Sequence, residues 1–255
     1  AYFEGKSSPG FTAVADIDGD GDPEIVNTSF DGIAVLDHTG TYLFGGKPIP
    51  NLDVDAYLRP HAIHDFDGDG DVEMSMSTQD VYSVIDFVDD DFAVVWSQPV
   101  LDGSGSAGGT AFDFNRDGQA EAMYADEEWL YVWDGEDPQG GPVLEWPRLS
   151  RTLFEYPVVA DVDDDGAAEI VVVSNECIEE PCNADPSPAV VVIRDADDRW
   201  MQPRRIWNQH AYHVTNVRED GTIPTFEAAS WAELNTFRTN AQLEDGGVCV
   251  PPPQG

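Results

Sequence analysis

The sequence predicts an all-β protein: a β-propeller of four-stranded blades, with four full blades and an incomplete fifth that carries a short helix. Three observations lead there. Four acidic segments, DIDGDGDPE (16–24), DFDGDGDVE (65–73), DFNRDGQAE (113–121) and DVDDDGAAE (161–169), recur at steps of 49, 48 and 48 residues. Between them, short runs rich in β-branched and aromatic residues alternate with turns of Gly, Asp and Pro, which is the pattern of strands. The period is that of one propeller blade, slightly above the WD40 length, and the G-H…W-D pairing of WD40 repeats is missing.

Each unit supplies its strands in order. One runs into the acidic loop (TAVAD, HAIHD, TAFD, VVAD) and a second leaves it (EIVN, EMSM, EAMY, EIVVV). A third, GIAVLD, YSVID, WLYVWD or AVVVIRD, closes on an Asp. Asp37, Asp86 and Asp134 lie 21 residues after their leading Asp, whereas Asp195 lies 34 after its own. The thirteen extra residues place an insertion at 177–188. A fourth strand holds an aromatic followed by proline: Phe44 and Pro48, Trp96 and Pro99, Trp146 and Pro147, Trp200 and Pro203. The blades therefore span about 3–50, 51–100, 101–148 and 149–203 of a domain covering 1–247. Beyond Pro203 the pattern decays. Residues 216–224 stand where a fifth loop would fall, but Arg218 and Pro224 occupy ligand positions, so it reads as a vestigial loop without metal. Ser230-Trp-Ala-Glu233 reads as a capping box opening a short helix. That leaves 204–247 as a partial blade and 248–255 as a Pro-rich tail.

Of 255 residues, 50 are Asp or Glu and 12 are Lys or Arg, a formal net charge of −38. With 41 % hydrophobic residues the chain can still build a core, so the acidity does not signal disorder. Such a surface repels phosphate backbones and anionic lipid, which excludes nucleic acid as a partner and favours cations. The longest apolar stretches, 170–173 and 189–193, are too short for membrane insertion. The chain starts at Ala1 rather than Met and reads as a mature or trimmed product. Cys177 and Cys182 are spaced for a small disulfide of an oxidising compartment, and Cys249 is left over.

The acidic loops carry the chemistry. D-x-D-x-D-G sets three side chains on alternate residues of a tight turn, and Gly at the sixth position permits the bend. The seventh residue offers a backbone carbonyl. The candidate ligands are Asp16, Asp18, Asp20, Asp22 and Glu24; Asp65, Asp67, Asp69, Asp71 and Glu73; Asp113, Asn115, Asp117, Gln119 and Glu121; and Asp161, Asp163, Asp165, Ala167 and Glu169. An oxygen-only set of this size suits calcium, up to four ions in all, better than octahedral magnesium. Empty, carboxylates about 4 Å apart repel by roughly 1 to 4 kcal/mol per pair. An EF-hand is rejected because its twelfth position, an acidic ligand, is here Asn27, Met76, Tyr124 or Val172. The third loop, with Asn115 and Arg116, carries the least charge and is expected to bind most weakly.

These loops resemble the FG-GAP/VCBS repeat family, typified by integrin α-subunit propellers. The match is to D-x-[DN]-x-D-G-x-x-[DE] between the first two strands of a blade, over residues 3–203. The resemblance implies a calcium-stabilised propeller on a secreted or cell-surface protein, used for adhesion or as a scaffold. It also implies that Glu24, Glu73, Glu121 and Glu169 are ligands. Related propellers usually close with seven blades. Here the chain is either part of a larger propeller, or closes unusually, or has its sheets completed by neighbouring copies.

No catalytic constellation emerges. His61/His64 and His210/His213 share an H-x-x-H spacing without a third partner, and Ser104 and Ser106 lie outside any nucleophile motif. The segment RRIWNQHAYH (204–213) reads as a structural seam, and Trp96, Trp133, Trp146 and Trp200 read as packing between blades. The sequence thus predicts a non-enzymatic extracellular adhesion or structural module, self-assembling into a fibre or surface layer, whose partner is a protein or glycan. The alternatives are a lectin-like carbohydrate-binding module and an accessory domain of a polysaccharide lyase or hydrolase.

Overall fold

The computed structural model describes residues 10–29, 32–47, 60–88, 91–175, 188–244 and 247–248. The expected Cys177–Cys182 bridge, Cys249, Pro48 and the tail from 249 lie outside the described residues, as does the side chain of Phe44.

Each acidic repeat folds into an antiparallel sheet with its strands in sequence order. The first holds β1 (Phe11–Ala15), β2 (Glu24–Ser29), β3 (Gly32–Leu36) and β4 (Tyr42–Lys47). The second holds β5 (Ala62–His64), β6 (Glu73–Ser77), β7 (Val81–Val88) and β8 (Asp91–Pro99). The third holds β9 (Gly109–Phe112), β10 (Glu121–Ala125), β11 (Trp129–Trp133) and β12 (Leu144–Pro147). The fourth holds β13 (Val158–Ala160), β14 (Glu169–Val173) and β15 (Val190–Arg194). Register follows the repeat. The residue ten positions after each leading Asp faces the same point of the third strand: Val26↔Val35, Ser75↔Val84, Met123↔Val132 and Val171↔Val192.

The period-2 alternation gives the sheets apolar faces, and successive sheets pack face to face. Val26, Ile33 and Val35 meet Met74, Met76 and Ile85 of the second sheet. Tyr82 of the second stacks on Tyr124 and Trp133 of the third, at centroid distances of 4.8 and 5.6 Å. Met123, Leu130 and Val132 of the third meet Ile170, Val172 and Ile193 of the fourth. No strand pairing joins one four- or three-stranded sheet to another among the described residues, so these sheets do not form a closed hydrogen-bonded ring.

The fourth sheet departs from the expected blade: among the described residues it has three strands. After β15, Arg199 grips Asp195 with two hydrogen bonds (Nε 2.8 Å, Nη2 2.6 Å). The chain then leaves the sheet. Trp200 packs on Phe114 of the third repeat at 4.5 Å, and the Met201 N–H donates to the Phe114 carbonyl at 2.9 Å. The predicted outer strand is therefore spent on covering a neighbouring loop. Trp96 and Trp133 are buried as expected, but Trp146, on β12, is 43 % exposed.

Among the described residues of 204–247, regular structure is limited to a one-turn helix and a two-stranded hairpin. Segment 204–228 has no regular strand and bridges the fourth repeat to the first. The Tyr156 hydroxyl donates to the His210 carbonyl at 2.7 Å, and the His210 ring stacks on Phe11 of β1 at 5.3 Å. Loop 216–224 closes around an arginine. The buried Arg204 guanidinium donates to the Val214 carbonyl (2.5 Å), the Tyr212 hydroxyl (2.9 Å), the Val217 carbonyl and the Glu219 carboxylate. The expected capping box does not form. The one-turn helix α1 (Ser230–Glu233) starts one residue earlier, with Ala229 as its cap and no side-chain cap bond, so Ser230 already lies inside it.

The largest departure is residues 236–242, which are at most 5 % exposed and cross the first-strand edge of all four sheets. Phe237 exchanges backbone hydrogen bonds with Ile63 of β5. Arg238 donates to the carbonyls of Thr12 (3.1 Å) and His61 (2.7 Å), and its own carbonyl accepts from Thr110 Oγ1 at 2.7 Å. Asn240 Nδ2 donates to Val159 O (2.6 Å) and Arg204 O (2.7 Å), and Gln242 donates to the carbonyl of Asp113. A two-stranded hairpin of β16 (Leu243–Glu244) and β17 (Gly247–Val248) follows. Asn240→Ala leaves two buried carbonyls without their donor. Each bare group costs about 1–3 kcal/mol, and urea unfolding is expected to show a loss of that order with the m-value unchanged.

Candidate metal centres

The loop joining the first two strands of each sheet has one geometry, repeated. The sixth residue is in the left-handed region (φ 93°, 100°, 91° and 90° at Gly21, Gly70, Gly118 and Gly166), where a side chain is disfavoured. Its N–H donates to the leading Asp at 2.9–3.1 Å in every loop. The ninth residue opens the second strand and is held by register, opposite the residue before the leading Asp: Ala15↔Glu24, His64↔Glu73, Phe112↔Glu121 and Ala160↔Glu169. One oxygen of each Glu accepts the N–H of the second loop residue at 2.7–3.0 Å.

The turn and the strand thereby aim carboxylates at one point. In three loops the first, third and ninth side chains place an oxygen each within 4.8 Å of one another: Asp16, Asp18 and Glu24; Asp65, Asp67 and Glu73; Asp161, Asp163 and Glu169. Such groups can hold a metal ion. The fifth residues, Asp20, Asp69, Asp117 and Asp165, lie outside these groups, and each accepts the backbone N–H of the seventh residue. At the seventh position Asp22 and Asp71 are exposed and Ala167 is buried. Gln119 instead reaches the second loop, donating to Asp67 O at 3.2 Å and to Glu136 at 2.8 Å. In the third loop the Asn115 amide stands in for an acid, donating to Asp117 (2.9 Å) and Glu121 (3.3 Å). The fourth loop has cations of its own: Arg194 lies 3.5 Å from Asp163 and 3.7 Å from Asp165, and Arg205 lies 2.6 Å from Asp164.

Electrostatics test whether a cation fits. Burial pushes Glu24 up to about 7, Glu73 to about 9 and Glu121 to about 8, with the neighbouring aspartates adding to the rise. Asp65 is raised to about 6, and Asp18, Asp67, Asp113 and Glu169 are raised, all chiefly by burial. Asp16 Oδ1 and Glu169 Oε1 are buried with no hydrogen-bond partner. Buried acceptors without donors are costly, and a cation satisfies them. The residues fit a hard, oxygen-bound ion.

The histidine pairs hold other partners. His64 Nδ1 meets the Asp65 carbonyl at 3.1 Å, with its pKa lowered to about 4 by burial, and His61 Nδ1 meets Thr28 Oγ1 at 3.2 Å. His210 meets the Phe154 carbonyl, and His213 meets Glu227. Sequence reasoning missed a buried polar cluster at the opposite end of the third sheet. Asp102 accepts from Tyr124 Oη (2.5 Å) and Thr152 Oγ1 (2.9 Å), while Asp126 holds the N–H groups of Glu128 and Trp129. Its signal was a polar residue thirteen positions after every leading Asp: Ser29, Thr78, Asp126 and Ser174.

No protein-family model and no curated protein sequence matches the chain. Among solved structures, it is similar to the Vibrio cholerae biofilm matrix protein Bap1, at 19 % identity and a TM-score of 0.62, over 95 % of this chain and 65 % of that one. The rhamnogalacturonan lyases YesX and YesW align at 16 % and 14 % identity with TM-scores of 0.39 and 0.38, over 75 % and 78 % of this chain and 48 % and 51 % of theirs. The first likeness is one of fold; the lyase scores are too low to carry an argument. This chain thus spans less than two thirds of the length of each of these three structures. No helix among the described residues is long and apolar enough to cross a membrane.

The raised carboxylates fix the sign of the pH response. Without cation, each costs nothing while protonated. Its penalty grows as pH climbs from the unfolded value of 4.5 to the folded one, about 9 for Glu73. In chelator, stability is therefore expected to fall across that window, and a bound cation should flatten the fall. Glu73→Gln should raise the melting temperature in chelator and lower it in calcium, as scanning calorimetry of both proteins would show.

Proposed function

We propose that this chain is a calcium-binding module of the β-propeller type, related to FG-GAP/VCBS repeats, that serves extracellular adhesion or matrix architecture. The observation that carries the reading is the threefold recurrence of a buried carboxylate group on one loop geometry. Positions one, three and nine would hold the ion through side chains, and the loop backbone would complete the oxygen set. The ion would supply the countercharge that lets buried acids stay ionised, tying each loop to the strand that follows it. Extracellular modules bind calcium at about 10⁻⁴–10⁻³ M, which suits an external medium. Fold likeness to a biofilm matrix protein supports the setting. Assembly into a fibre or surface layer is part of the same proposal. No catalysis is assigned.

A second reading, carbohydrate binding, has one observation in its favour. A cleft of about 430 Å³ is lined by Arg218, Glu219, Thr215, Pro224 and Phe226, and Phe226 is 90 % exposed. A glycan array showing no retention in calcium would remove it.

Equilibrium dialysis is expected to find three calcium sites, with a weaker fourth at the third loop. Asp67→Asn should abolish one site and leave the others. Absence of uptake, or an equal melting temperature in calcium and chelator, would overturn the reading. Arg194→Ala removes a competing cation from Asp163 and Asp165 and is expected to tighten the fourth-loop site, by a factor read from the same dialysis.

A further inference from the structure

Asp16 opens the first acidic loop, and each of its polar atoms has a definite place. The N–H donates to Asn235 Oδ1 at 2.9 Å, and the carbonyl accepts from Asn235 Nδ2 at 2.7 Å. Oδ2 accepts the Gly21 N–H at 2.9 Å. Oδ1 alone is buried without a partner, in the group that Asp16 forms with Asp18 and Glu24. One carboxamide, 219 residues along the chain, thus holds the backbone of the residue that offers the bare oxygen.

Asn235 is itself held in place. It comes just after the one-turn helix α1 with φ at 48°, in the left-handed region that asparagine tolerates better than most side chains. Its N–H donates to Ser230 O at 3.0 Å. From there the chain enters 236–242, the segment that crosses the four sheets. The next two loops are held differently. The Asp65 carbonyl accepts from the Ala120 N–H of the third repeat at 3.4 Å. Gln242 reaches only the carbonyl of Asp113, and its own Oε1 is buried without a partner. Of these three loops, the first is the one whose leading residue has both backbone groups bonded to one side chain of the C-terminal region.

We propose that the first acidic loop is a latch: an ion bound there and the docking of residues 235–242 stabilise each other, with Asn235 as the positioning residue for Asp16. The planar amide makes its two bonds only while the N–H and carbonyl of Asp16 keep one orientation. An ion clamped between Asp16, Asp18 and Glu24 enforces that orientation from the side-chain end, and Asn235 enforces it from the backbone end. Each event therefore prepays part of the ordering that the other needs. The segment that follows Asn235 bonds to every sheet, so the effect of this one ion extends over the whole body. Such coupling is reciprocal, and the same factor, roughly fivefold at the low end of coupled sites, acts in both directions. The latch presupposes the calcium reading and gives one of its sites control over the C-terminal segment.

The test is hydrogen exchange of the whole chain, read at the amides of Phe237 and Arg238. They donate to Ile63 O at 3.0 Å and Tyr212 O at 2.8 Å, so both exchange when the segment lifts. Calcium is expected to slow both roughly fivefold relative to chelator. Asp18→Asn removes an acid of the first group and should abolish the slowing, while Asp163→Asn, in the fourth loop, should leave it. In the other direction, Asn235→Gly keeps the left-handed turn and loses the amide. Equilibrium dialysis should then show one site weakened by the same factor, and no further change in a chain that already carries Asp18→Asn. Far-UV circular dichroism checks folding, and Asn235→Asp, which keeps the acceptor and loses the donor, replaces the glycine variant if that one does not fold. Calcium uptake with equal exchange in calcium and chelator overturns the latch and leaves the calcium reading standing. So does slowing that Asp163→Asn removes as fully as Asp18→Asn, or a set of affinities indifferent to Asn235. A chain that takes up no calcium overturns both.

Discussion

Four repeat sheets that share no strand pairing among the described residues are held as one body by residues 235–242. Sheet faces packed by valine, isoleucine and tyrosine give adhesion without direction, since apolar contact fixes distance more than register. Direction comes from polar bonds. Asn235 exchanges two hydrogen bonds with the backbone of Asp16, Arg238 satisfies carbonyls of the first and second repeats, Asn240 one of the fourth, and Gln242 one of the third. The side chains have the reach for this: a guanidinium and two carboxamides, each a donor long enough to meet a first-strand carbonyl. The orientation of the acidic loops depends on that tie, because each loop begins where a first strand ends.

The loops set a local conflict against this global order. Register forces a glutamate into the core end of every loop, and the turn brings aspartates beside it. The backbone N–H groups of the loop relieve part of the charge, but Asp16 and Glu169 keep oxygens that no protein donor reaches. A cation held among each of the three groups would resolve the conflict by the same chemistry. The loop at 216–224 makes the contrast plain. There, one arginine from within the chain performs the neutralisation, and the loop is spared acids at its core.

Much of this was legible in the sequence, because period and alternation are local. The spacing of the leading Asp residues placed every sheet, and the sixth-position Gly and ninth-position Glu marked the turn and the strand start. What stayed hidden was tertiary. Trp200 has the same aromatic-then-proline context as Trp96, yet Arg199 and Phe114 draw it off its strand. Ser230 and Glu233 spell a capping box, but an extended Ala229 puts the boundary one residue early. The segment 236–242, FRTNAQL before Glu244, lacks any periodic signal, since its side chains answer carbonyls on four different sheets and not a face of its own. The ligand groups were legible in kind, but the fifth-position acids turned out to serve the turn.

The central segment also has a kinetic meaning. Arg238 bonds to Thr12 across 226 residues and to His61 across 177, among the longest separations the chain allows. Each sheet is a run of adjacent hairpins and can form early, but contacts of such high order slow the closing step. During synthesis the four sheets precede the segment that locks them, so they are tied together only once residues 235–242 have been made. In that interval, apolar first-strand edges lie open. The dense negative charge of the acidic loops then acts between half-made molecules, keeping them apart until residues 235–242 arrive.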